Sequence, residues 1–299
     1  MLALGNFDGV HRGHVKIIER VRRAAEERGA SAIAMTFDPH PPRIVRPDKA
    51  PPVLMTTQQK LEALARAGIH GVVIVRFTVE LSRWDPETFV RTVLVDWMHV
   101  AEVWVGANFL FGRDRSGNFS LLRSLGGRYA FRTEKIDPVR YKDFVVSSTR
   151  IRRLLSEGRV DEAGALLGHH YYVDGSVAQG RRRGRELGFP TANVCPDNEL
   201  IPPQGVYAST TQVDGVFHPS VTNVGTRPTF GPASDNDAEQ MTVETHLLDF
   251  DGDLYGRRLR VGFVQRLRDE RRFENAGALR TQIAADCAQA RALFDSMSL

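Results

Sequence analysis

The chain has 299 residues, of which 42% are hydrophobic and 25% charged, and its formal net charge is +4. This balance excludes a disordered or fibrous protein, and the length predicts about two domains, each able to bury a core. An excess of four positive charges is mild for this length, so charge alone indicates no nucleic-acid or membrane partner.

The cysteines and the apolar segments indicate the expected compartment. Cys195 and Cys287 form neither a disulfide framework nor a CxxC metal pattern, which favours a reducing environment. The first residues carry no signal-peptide pattern, and the apolar region at residues 93–111 is interrupted by Asp96 and Glu102. We therefore expect a cytoplasmic protein without a membrane span.

The first half of the chain alternates short apolar strands with helical patterns, which is typical of a doubly wound parallel sheet. Thr56 or Thr57 is a candidate N-cap, and the continuous apolar run GVVIVR at residues 71–76 predicts a strand covered on both faces. The predicted strands are residues 2–4, 32–36, 71–76 and 101–105, and the predicted helices are residues 13–28, 57–67, 86–96 and 148–157.

The second half, from about Tyr171, consists of short β segments separated by glycine and proline turns. Strands are predicted at residues 172–177, 206–213 and 243–248, and the pairs Asp214-Gly215 and Asp251-Gly252 predict hairpin turns. This pattern predicts a small antiparallel β-barrel, followed by a terminal helix at residues 275–293. We place the domain boundary near Gly168, which gives domains 1–167 and 168–299.

The first candidate site is the loop from Gly5 to His14, which joins a predicted strand to a helix. Such a helix start favours anions, because its backbone N–H groups and the helix dipole both attract them. His11 and His14 lie on one side of the first turn, and Gly13 would let a nucleotide approach the backbone. Two surface histidines at a helix cap are the alternative. A zinc pair fits less well, because helical zinc ligands are usually four residues apart.

A second serine- and arginine-rich helix start follows at residues 147–152. Arg150 and Arg152 could neutralise a triphosphate by bidentate contact. Ser148 and Thr149 could instead simply cap the helix.

The second candidate site is the segment 180–193, which contains three glycines and four arginines. Gly180 and Gly188 would let the loop fold over phosphates, Thr191 could place its hydroxyl on Mg²⁺, and Asn193 could offer its amide to a phosphate or to the metal. A solvated arginine run or a nucleic-acid contact is the alternative for residues 181–185, but it leaves the Gly-Phe-Pro-Thr-Ala-Asn ending unexplained.

The predicted strand around Glu244 carries the third element of chemistry. Alternation turns Val243 and Thr245 to one face and Glu244 and His246 to the other. A carboxylate facing a ligand cleft could take the proton from an attacking hydroxyl, as phosphoryl transfer requires, although a strand glutamate also often just faces solvent.

Together these segments resemble the bifunctional riboflavin kinase/FAD synthetase family over nearly the whole chain. Four motifs resemble its N-terminal domain, of the nucleotidylyltransferase type: GNFDGVHRGH (5–14), FDPHP (37–41), VGANFLFG (105–112) and SSTRIR (147–152). Four others resemble its riboflavin kinase domain: GRELGFPTAN (184–193), NVGTRPTF (223–230), VETHLLDF (243–250) and DLYG (253–256).

The resemblance implies a Rossmann-like doubly wound nucleotidylyltransferase domain followed by a small antiparallel β-barrel with a terminal helix. It implies that Thr191 and Asn193 bind Mg-ATP in the barrel, where Glu244 is the base acting on the ribityl 5′-hydroxyl. In the N-terminal domain it implies an active-site role for Asn108. The ATP and phosphate contacts implied there are Gly5, His11, Gly13, His14, Ser148, Thr149 and Arg152.

The implied reactions convert riboflavin and ATP to FMN, and then FMN and ATP to FAD and pyrophosphate, with Mg²⁺ in both. Riboflavin, FMN and ATP are thus the expected partners, with no nucleic acid or membrane, and a homo-oligomer stays open. Because the chain begins only four residues before Gly5, the alternative is a riboflavin kinase with an impaired N-terminal domain. A flavin- or nucleic-acid-binding regulator that uses residues 181–185 is a third hypothesis.

Overall fold

The computed structural model describes residues 1–179, 187–226 and 241–297. These residues form two compact units, Met1–Ser148 and Thr149–Leu299. The boundary near Gly168 stays a prediction; locally, Gly168 caps a helix in the left-handed conformation, at φ 88°.

The first unit is built on a parallel sheet, as predicted. Within residues 1–148, its five strands are β1 (Leu2–Leu4), β2 (Ile33–Asp38), β3 (Gly71–Arg76), β4 (Glu102–Gly106) and β5 (Arg132–Ile136). Their order is β3-β2-β1-β4-β5, so the chain winds outward from β1 in one direction and then returns to add β4 and β5 on the other side. Leu2 pairs with both Ile33 and Val103, which makes β1 the central strand.

The helices predicted at residues 13–28 and 57–67 form with small shifts at their ends, and the first unit also contains helices that the sequence did not predict. Thr56 is the N-cap of the third helix: its hydroxyl accepts the Gln59 N–H at 3.2 Å, and the Gln59 side chain accepts the Thr56 N–H at 3.0 Å. The helices are α1 (Arg12–Glu26), α2 (Pro41–Val45), α3 (Thr57–Arg66), α4 (Val79–Ser82), α5 (Pro86–Phe89) and α6 (Phe119–Arg128), with 3-10 turns at Pro47–Lys49 and Arg113–Arg115. A short hairpin pairs β6 (Arg140–Tyr141) with β7 (Phe144–Val145).

Two expectations for this unit need correction. The run at residues 71–76 does form β3, but β3 lies at the edge of the sheet and Ile74 exposes 40% of its surface. Cover on both faces is therefore wrong, because an apolar run specifies a strand without specifying its neighbours. The helix predicted at residues 86–96 forms as α5 followed by π-helical turns over Val90–Trp97, which bury Val90, Val93 and Leu94.

The second unit is dominated by an antiparallel barrel, which confirms the predicted fold class. It begins with α7 (Ser148–Ser156, whose first residue belongs to the first unit) and α8 (Val160–Leu167). Six strands of the described ranges close the barrel in the order β10-β11-β12-β9-β8-β13, and the long helix α9 (Ala276–Ser296) follows them. The strands are β8 (Tyr171–Ala178), β9 (Ala192–Pro196), β10 (Gly205–Val213), β11 (Val216–Thr226), β12 (Met241–Leu247) and β13 (Arg258–Arg268).

The two Asp-Gly signals have different outcomes. Asp214 and Gly215, at φ 48° and 89°, join β10 to β11 in a two-residue turn with Val213 opposite Val216, as predicted. The hairpin predicted at Asp251-Gly252 is wrong: β12 pairs with β9 and β11, whereas β13 pairs with β8 and β10. The pair marks a local reversal, but closure of the barrel decides which strands become neighbours.

Strand alternation gives the barrel a polar interior and an apolar outer patch. Hydroxyl groups of three neighbouring strands bond to one another at 2.7–3.1 Å inside the barrel, so these buried polar groups satisfy each other. The residues concerned are Ser209, Thr211, Ser220, Thr222 and Thr245, all fully buried. On the outer side, Val206, Ala208 and Val264 pack against α9 at Ala290 and Phe294.

Two Asp–Arg pairs connect α9 to the rest of the second unit, and they differ in burial. Arg268 of β13 donates two hydrogen bonds to Asp286, from Nε to Oδ1 at 3.0 Å and from Nη2 to Oδ2 at 2.8 Å, and the Asp286 side chain is only 4% exposed. Asp249 pairs with Arg291 at the surface, where its side chain is 74% exposed.

We expect Asp286→Asn to lower the free energy of unfolding of this unit by about 3 kcal/mol, because it leaves the shielded guanidinium of Arg268 without its counter-charge. The matched change Asp249→Asn should cost less than about 1 kcal/mol, since water screens that pair. Urea denaturation followed by far-UV circular dichroism measures both, and equal losses would contradict a buried tie between β13 and α9.

Candidate functional site

The carboxyl ends of β1 and β4 mark the point where the strand order of the sheet reverses. In open parallel sheets, ligands bind in the crevice at such a point. Gly5 follows β1 directly and Asn108 lies two residues beyond the end of β4. The structure therefore brings the histidine-bearing loop and Asn108 to the same edge of the sheet.

The loop after β1 is fixed to the neighbouring strand by backbone and side-chain bonds. The Gly5 N–H donates to the Met35 carbonyl at 3.1 Å, and the Thr36 hydroxyl donates to the Asn6 carbonyl at 3.0 Å. A phosphate contact at Gly5 would thus involve backbone held in place before the ligand arrives.

Asp8 anchors the same loop to the segment before α3. The sequence analysis did not single out this residue. Its carboxylate is 2% exposed and accepts the N–H groups of Leu54, at 2.9 and 3.1 Å, and Met55, at 3.3 Å. The Ser148 hydroxyl donates to the Asp8 carbonyl at 2.9 Å. The predicted site residue Ser148 thus supports the loop as well as starting α7. An aspartate inside a glycine-bearing loop was the available signal.

Lys60 is a second buried charge that the sequence analysis missed. Its ammonium group lies 3.4 Å from the Thr36 hydroxyl, on the buried side of α3. Burial lowers the pKa of Lys60, while the carboxylates of Asp8 and Asp38 act to raise it. A lysine on the apolar stripe of an amphipathic helix was the signal that could have shown it.

His11 and His14 form a stacked pair at the start of α1. His11 is the N-cap residue, and its Nδ1 accepts the His14 N–H at 3.3 Å, so its neutral ring carries the proton on Nε2. The two rings lie 3.6 Å apart at 11°. A Cβ at Gly13 would lie 3.1 Å from the His11 ring, so the absence of a side chain there accommodates the imidazole.

His14 is neutral at physiological pH. Burial lowers its pKa well below the ordinary value, and the neighbouring His11 and Lys60 lower it further. Within the described residues, its buried Nδ1 has no hydrogen-bond partner. His14 therefore offers an uncharged imidazole group to a ligand at a helix N-terminus.

The remaining predicted residues of the first constellation lie in two places. Asn108 lines a cavity of about 360 Å³ together with Phe109, Phe119 and Lys135. Thr149 and Arg152 lie in the first two turns of α7, in the second unit.

In the barrel, a row of polar side chains crosses three strands. Glu244 of β12 is the register partner of Asn193 on β9 and of Asn223 on β11. Val243 and Thr245 point inward and are fully buried, so the row lies on the outer face, and the predicted alternation is confirmed. Asn223 is an addition to the predicted set, and its position at the start of the NVGTRPTF motif was the available signal.

A second cavity of about 360 Å³ includes Asn193 of this row in its lining, whereas Glu244 is not one of its lining residues and β12 contributes Thr245 and Leu247. Thr191 and Asn193 line it together with Asp251 and Asp253. Gly188 precedes them with φ 86°, a conformation that favours glycine. Gly180 and the arginine run at residues 181–185 lie outside the described residues.

The lowered pKa of His14 predicts a pH dependence of stability. Below 6.5, the ordinary histidine pKa, the unfolded chain binds a proton at this position that the native state excludes. We expect the free energy of unfolding to fall as the pH drops from 6.5 to the lowered native pKa, by up to ~1.4 kcal/mol per pH unit from this group.

The His14→Gln variant should lose this part of the slope while keeping a polar side chain. Urea denaturation followed by tryptophan fluorescence measures it, because all three tryptophans, Trp84, Trp97 and Trp104, lie in the first unit. The same slope in the variant and in the wild type would show that His14 binds its proton normally in the native state.

Comparison with known proteins matches both halves of the chain. The sequence model of the FAD synthetase family matches residues 1–150, and that of the riboflavin kinase family matches residues 167–294. The bifunctional riboflavin kinase/FMN adenylyltransferase of Pseudomonas fluorescens is 41% identical over 290 residues, which cover 97% of this chain and 91% of the relative. The protein of the same name from Escherichia coli K12 is 36% identical, over 98% and 92% of the two chains.

A solved structure described as a macrolide-efflux protein from Streptococcus pneumoniae superposes with a TM-score of 0.86 at 26% identity, and the match covers 97% of this chain and 93% of that one. Among the described residues, no helix is long and apolar enough to cross a membrane. Both halves of the chain match a family model, and the relatives are 36% and 41% identical over nearly the whole chain. The chain therefore belongs to the family of bifunctional riboflavin kinase/FMN adenylyltransferases.

Proposed function

We propose that this chain makes FAD in two steps, phosphorylating riboflavin to FMN in the barrel and adenylylating FMN in the parallel-sheet domain. The observation that carries the proposal is that one chain holds two sites of different chemistry. One is a stacked histidine pair at a helix N-terminus with a neutral His14, and the other is a carboxylate between two amides, one of which lines a cavity. We place the division between the two domains at Gly168.

In the kinase step, the Glu244 carboxylate takes the proton of the ribityl 5′-hydroxyl as that oxygen attacks the γ-phosphorus of ATP. The new O–P bond forms as the bond to the β-phosphate oxygen breaks, and ADP leaves. Thr191 and Asn193 hold the phosphates, and Gly180 and Gly188 contribute further phosphate contacts.

The barrel cavity has a donor set that suits Mg²⁺. The hydroxyl of Thr191, the amide oxygen of Asn193 and the carboxylates of Asp251 and Asp253 are hard oxygen donors on one cavity wall. In the described residues no group of three or more histidine, cysteine, aspartate or glutamate side chains could hold a metal ion. A cavity with two carboxylates matches the few protein ligands that Mg²⁺ commonly uses beside phosphate and water. The ion, when bound, neutralises phosphate charge.

In the adenylylation step, an oxygen of the FMN phosphate attacks the α-phosphorus of ATP, and the bond to the β-phosphate breaks to release pyrophosphate. The backbone N–H of Gly13, the Nε2–H of His11 and the neutral ring of His14 donate to the α-phosphate as its charge grows, and Gly5, which has no side chain, lets the phosphate approach the loop closely. Asn108 positions the reactants. Further contacts to the ATP phosphates come from Ser148, Thr149 and Arg152.

The proposal also covers the cellular compartment of the protein and its binding partners. Two unpaired cysteines favour the cytoplasm, where thiols stay reduced. Riboflavin, FMN and ATP are the ligands, and neither nucleic acid nor a membrane is needed by either step. Assembly into a homo-oligomer is compatible with both sites.

The direct test is chromatography of the flavins after incubating the purified chain with riboflavin, ATP and Mg²⁺. We expect FMN to appear first and FAD to follow. Accumulation of FMN without FAD would support the kinase-only alternative, and the absence of both products from folded protein would contradict the proposal.

Single substitutions should separate the two reactions. We expect Glu244→Gln to lower FMN formation by at least ~10²-fold, because the amide cannot accept the proton, and to leave adenylylation of supplied FMN unchanged. We expect His14→Ala to lower adenylylation by ~10²–10³-fold through loss of a preorganised donor, and to spare FMN formation.

Each variant is the control for the other, with both activities measured on the same preparation and folding checked by circular dichroism. One substitution that abolished both reactions in folded protein would contradict the assignment of two independent sites.

A further inference from the structure

We propose that His246 is a positioning residue of the riboflavin kinase site. It fixes the backbone that leads into Thr191, so that the Thr191 hydroxyl is oriented toward bound ATP. The inference rests on the kinase function proposed above and adds a residue that the motifs did not assign.

The contact lies where the pairing of β9 with β12 stops. The last register pair is Ala192 with Thr245, and one further step would place Thr191 opposite His246. Instead, the imidazole Nδ1 of His246 lies 2.7 Å from the carbonyl oxygen of Pro190. A carbonyl only accepts, so Nδ1 carries the proton and donates. A side-chain bond thus takes over at the point where the backbone ladder ends.

The identity of the accepting residue makes this bond important. Proline has no N–H, so the carbonyl is the only backbone group through which Pro190 can be held by a hydrogen bond. That carbonyl lies in the same planar peptide unit as the backbone nitrogen of Thr191, so its direction fixes the orientation of the Thr191 backbone. The bond from His246 therefore acts on the residue proposed to contact phosphate and metal.

Phe189 provides a second anchor of a different kind. Its ring meets the His246 ring edge to face, at 5.5 Å and 87°, and also packs against the apolar cluster under α9. Apolar packing fixes where Phe189 lies but is not directional. The hydrogen bond supplies the direction, and the two contacts together hold the segment before ATP binds.

The same strand also carries the proposed base. Glu244 and His246 are two residues apart on the outer face of β12, so one rigid strand positions the group that accepts the proton and the segment that holds the phosphates. This arrangement reduces the ordering that ATP binding must otherwise impose on the segment.

The test compares three substitutions that separate the hydrogen bond from the ring. Asn can place an amide N–H near the position of Nδ1, Gln places one nearer Nε2, and Leu has no donor. We expect His246→Leu and His246→Gln to raise the KM for MgATP in FMN formation by ~5- to 10-fold, the equivalent of one ordinary hydrogen bond. We expect His246→Asn to stay within ~2-fold of the wild type, and the KM for riboflavin to be unchanged in all three.

Thr242→Val is the matched control. Thr242 lies on the same strand and face, two residues from Glu244 in the other direction, and its hydroxyl donates to the Gly225 carbonyl at 3.3 Å. The variant loses a comparable bond without touching the segment before Thr191, so its KM for MgATP should equal that of the wild type. Adenylylation of supplied FMN should be unchanged in every variant.

Equal KM values for MgATP in the Leu, Gln and Asn variants would overturn the proposal. The proposal would also be overturned if ¹⁵N NMR of the wild-type chain showed that the neutral imidazole of His246 carries its proton on Nε2. This measurement needs no variant to fold. A wild-type chain that forms no FMN would contradict the proposed kinase function itself, whereas FMN formation with an unchanged KM in His246→Leu would contradict only the role of His246.

Discussion

Backbone hydrogen bonds between strands that are distant along the chain hold both candidate sites together. In the first unit, β1 pairs with β4, which follows about a hundred residues later, and this pairing places the histidine loop beside Asn108. In the second unit, β12 pairs with β9, which sets Glu244 opposite Asn193, and Asn193 lines the same cavity as Thr191. If either pairing shifted by one residue, the functional side chains would turn to the other face of the sheet.

Burial then determines the chemical state of these groups. The carboxylate of Asp8 is taken out of water but receives backbone N–H donors, whereas the imidazole of His14 loses its charge because it is buried and because His11 and Lys60 lie close to it. A neutral imidazole beside a helix N-terminus can donate to an anion without carrying a full charge. In this unit the same desolvation that limits stability at low pH also prepares the site for a phosphate.

The two units solve the problem of positioning in different ways. The parallel sheet uses loops at the ends of its strands, anchored by polar residues such as the buried Asp8 and the half-buried Ser148. The barrel uses the strands themselves, and its interior hydroxyl network keeps their spacing while Glu244 and His246 face outward. Precise placement on rigid strands suits proton and phosphoryl transfer, in which small errors of geometry are costly.

The sequence by itself determined the fold class, the bounds of β1 and β3, an N-cap at Thr56 or Thr57, the hairpin turn at Asp214-Gly215 and, through the family motifs, the residues proposed for both sites. These features depend on near neighbours or on short motifs, so a local pattern is sufficient to predict them. Only the tertiary structure decided the exposure of β3 and the lack of pairing between β12 and β13 on either side of Asp251-Gly252. It also decided the partners of Asp8, Lys60 and His246. Those depend on which distant segments meet when the sheet and the barrel assemble, and no local pattern carries that information.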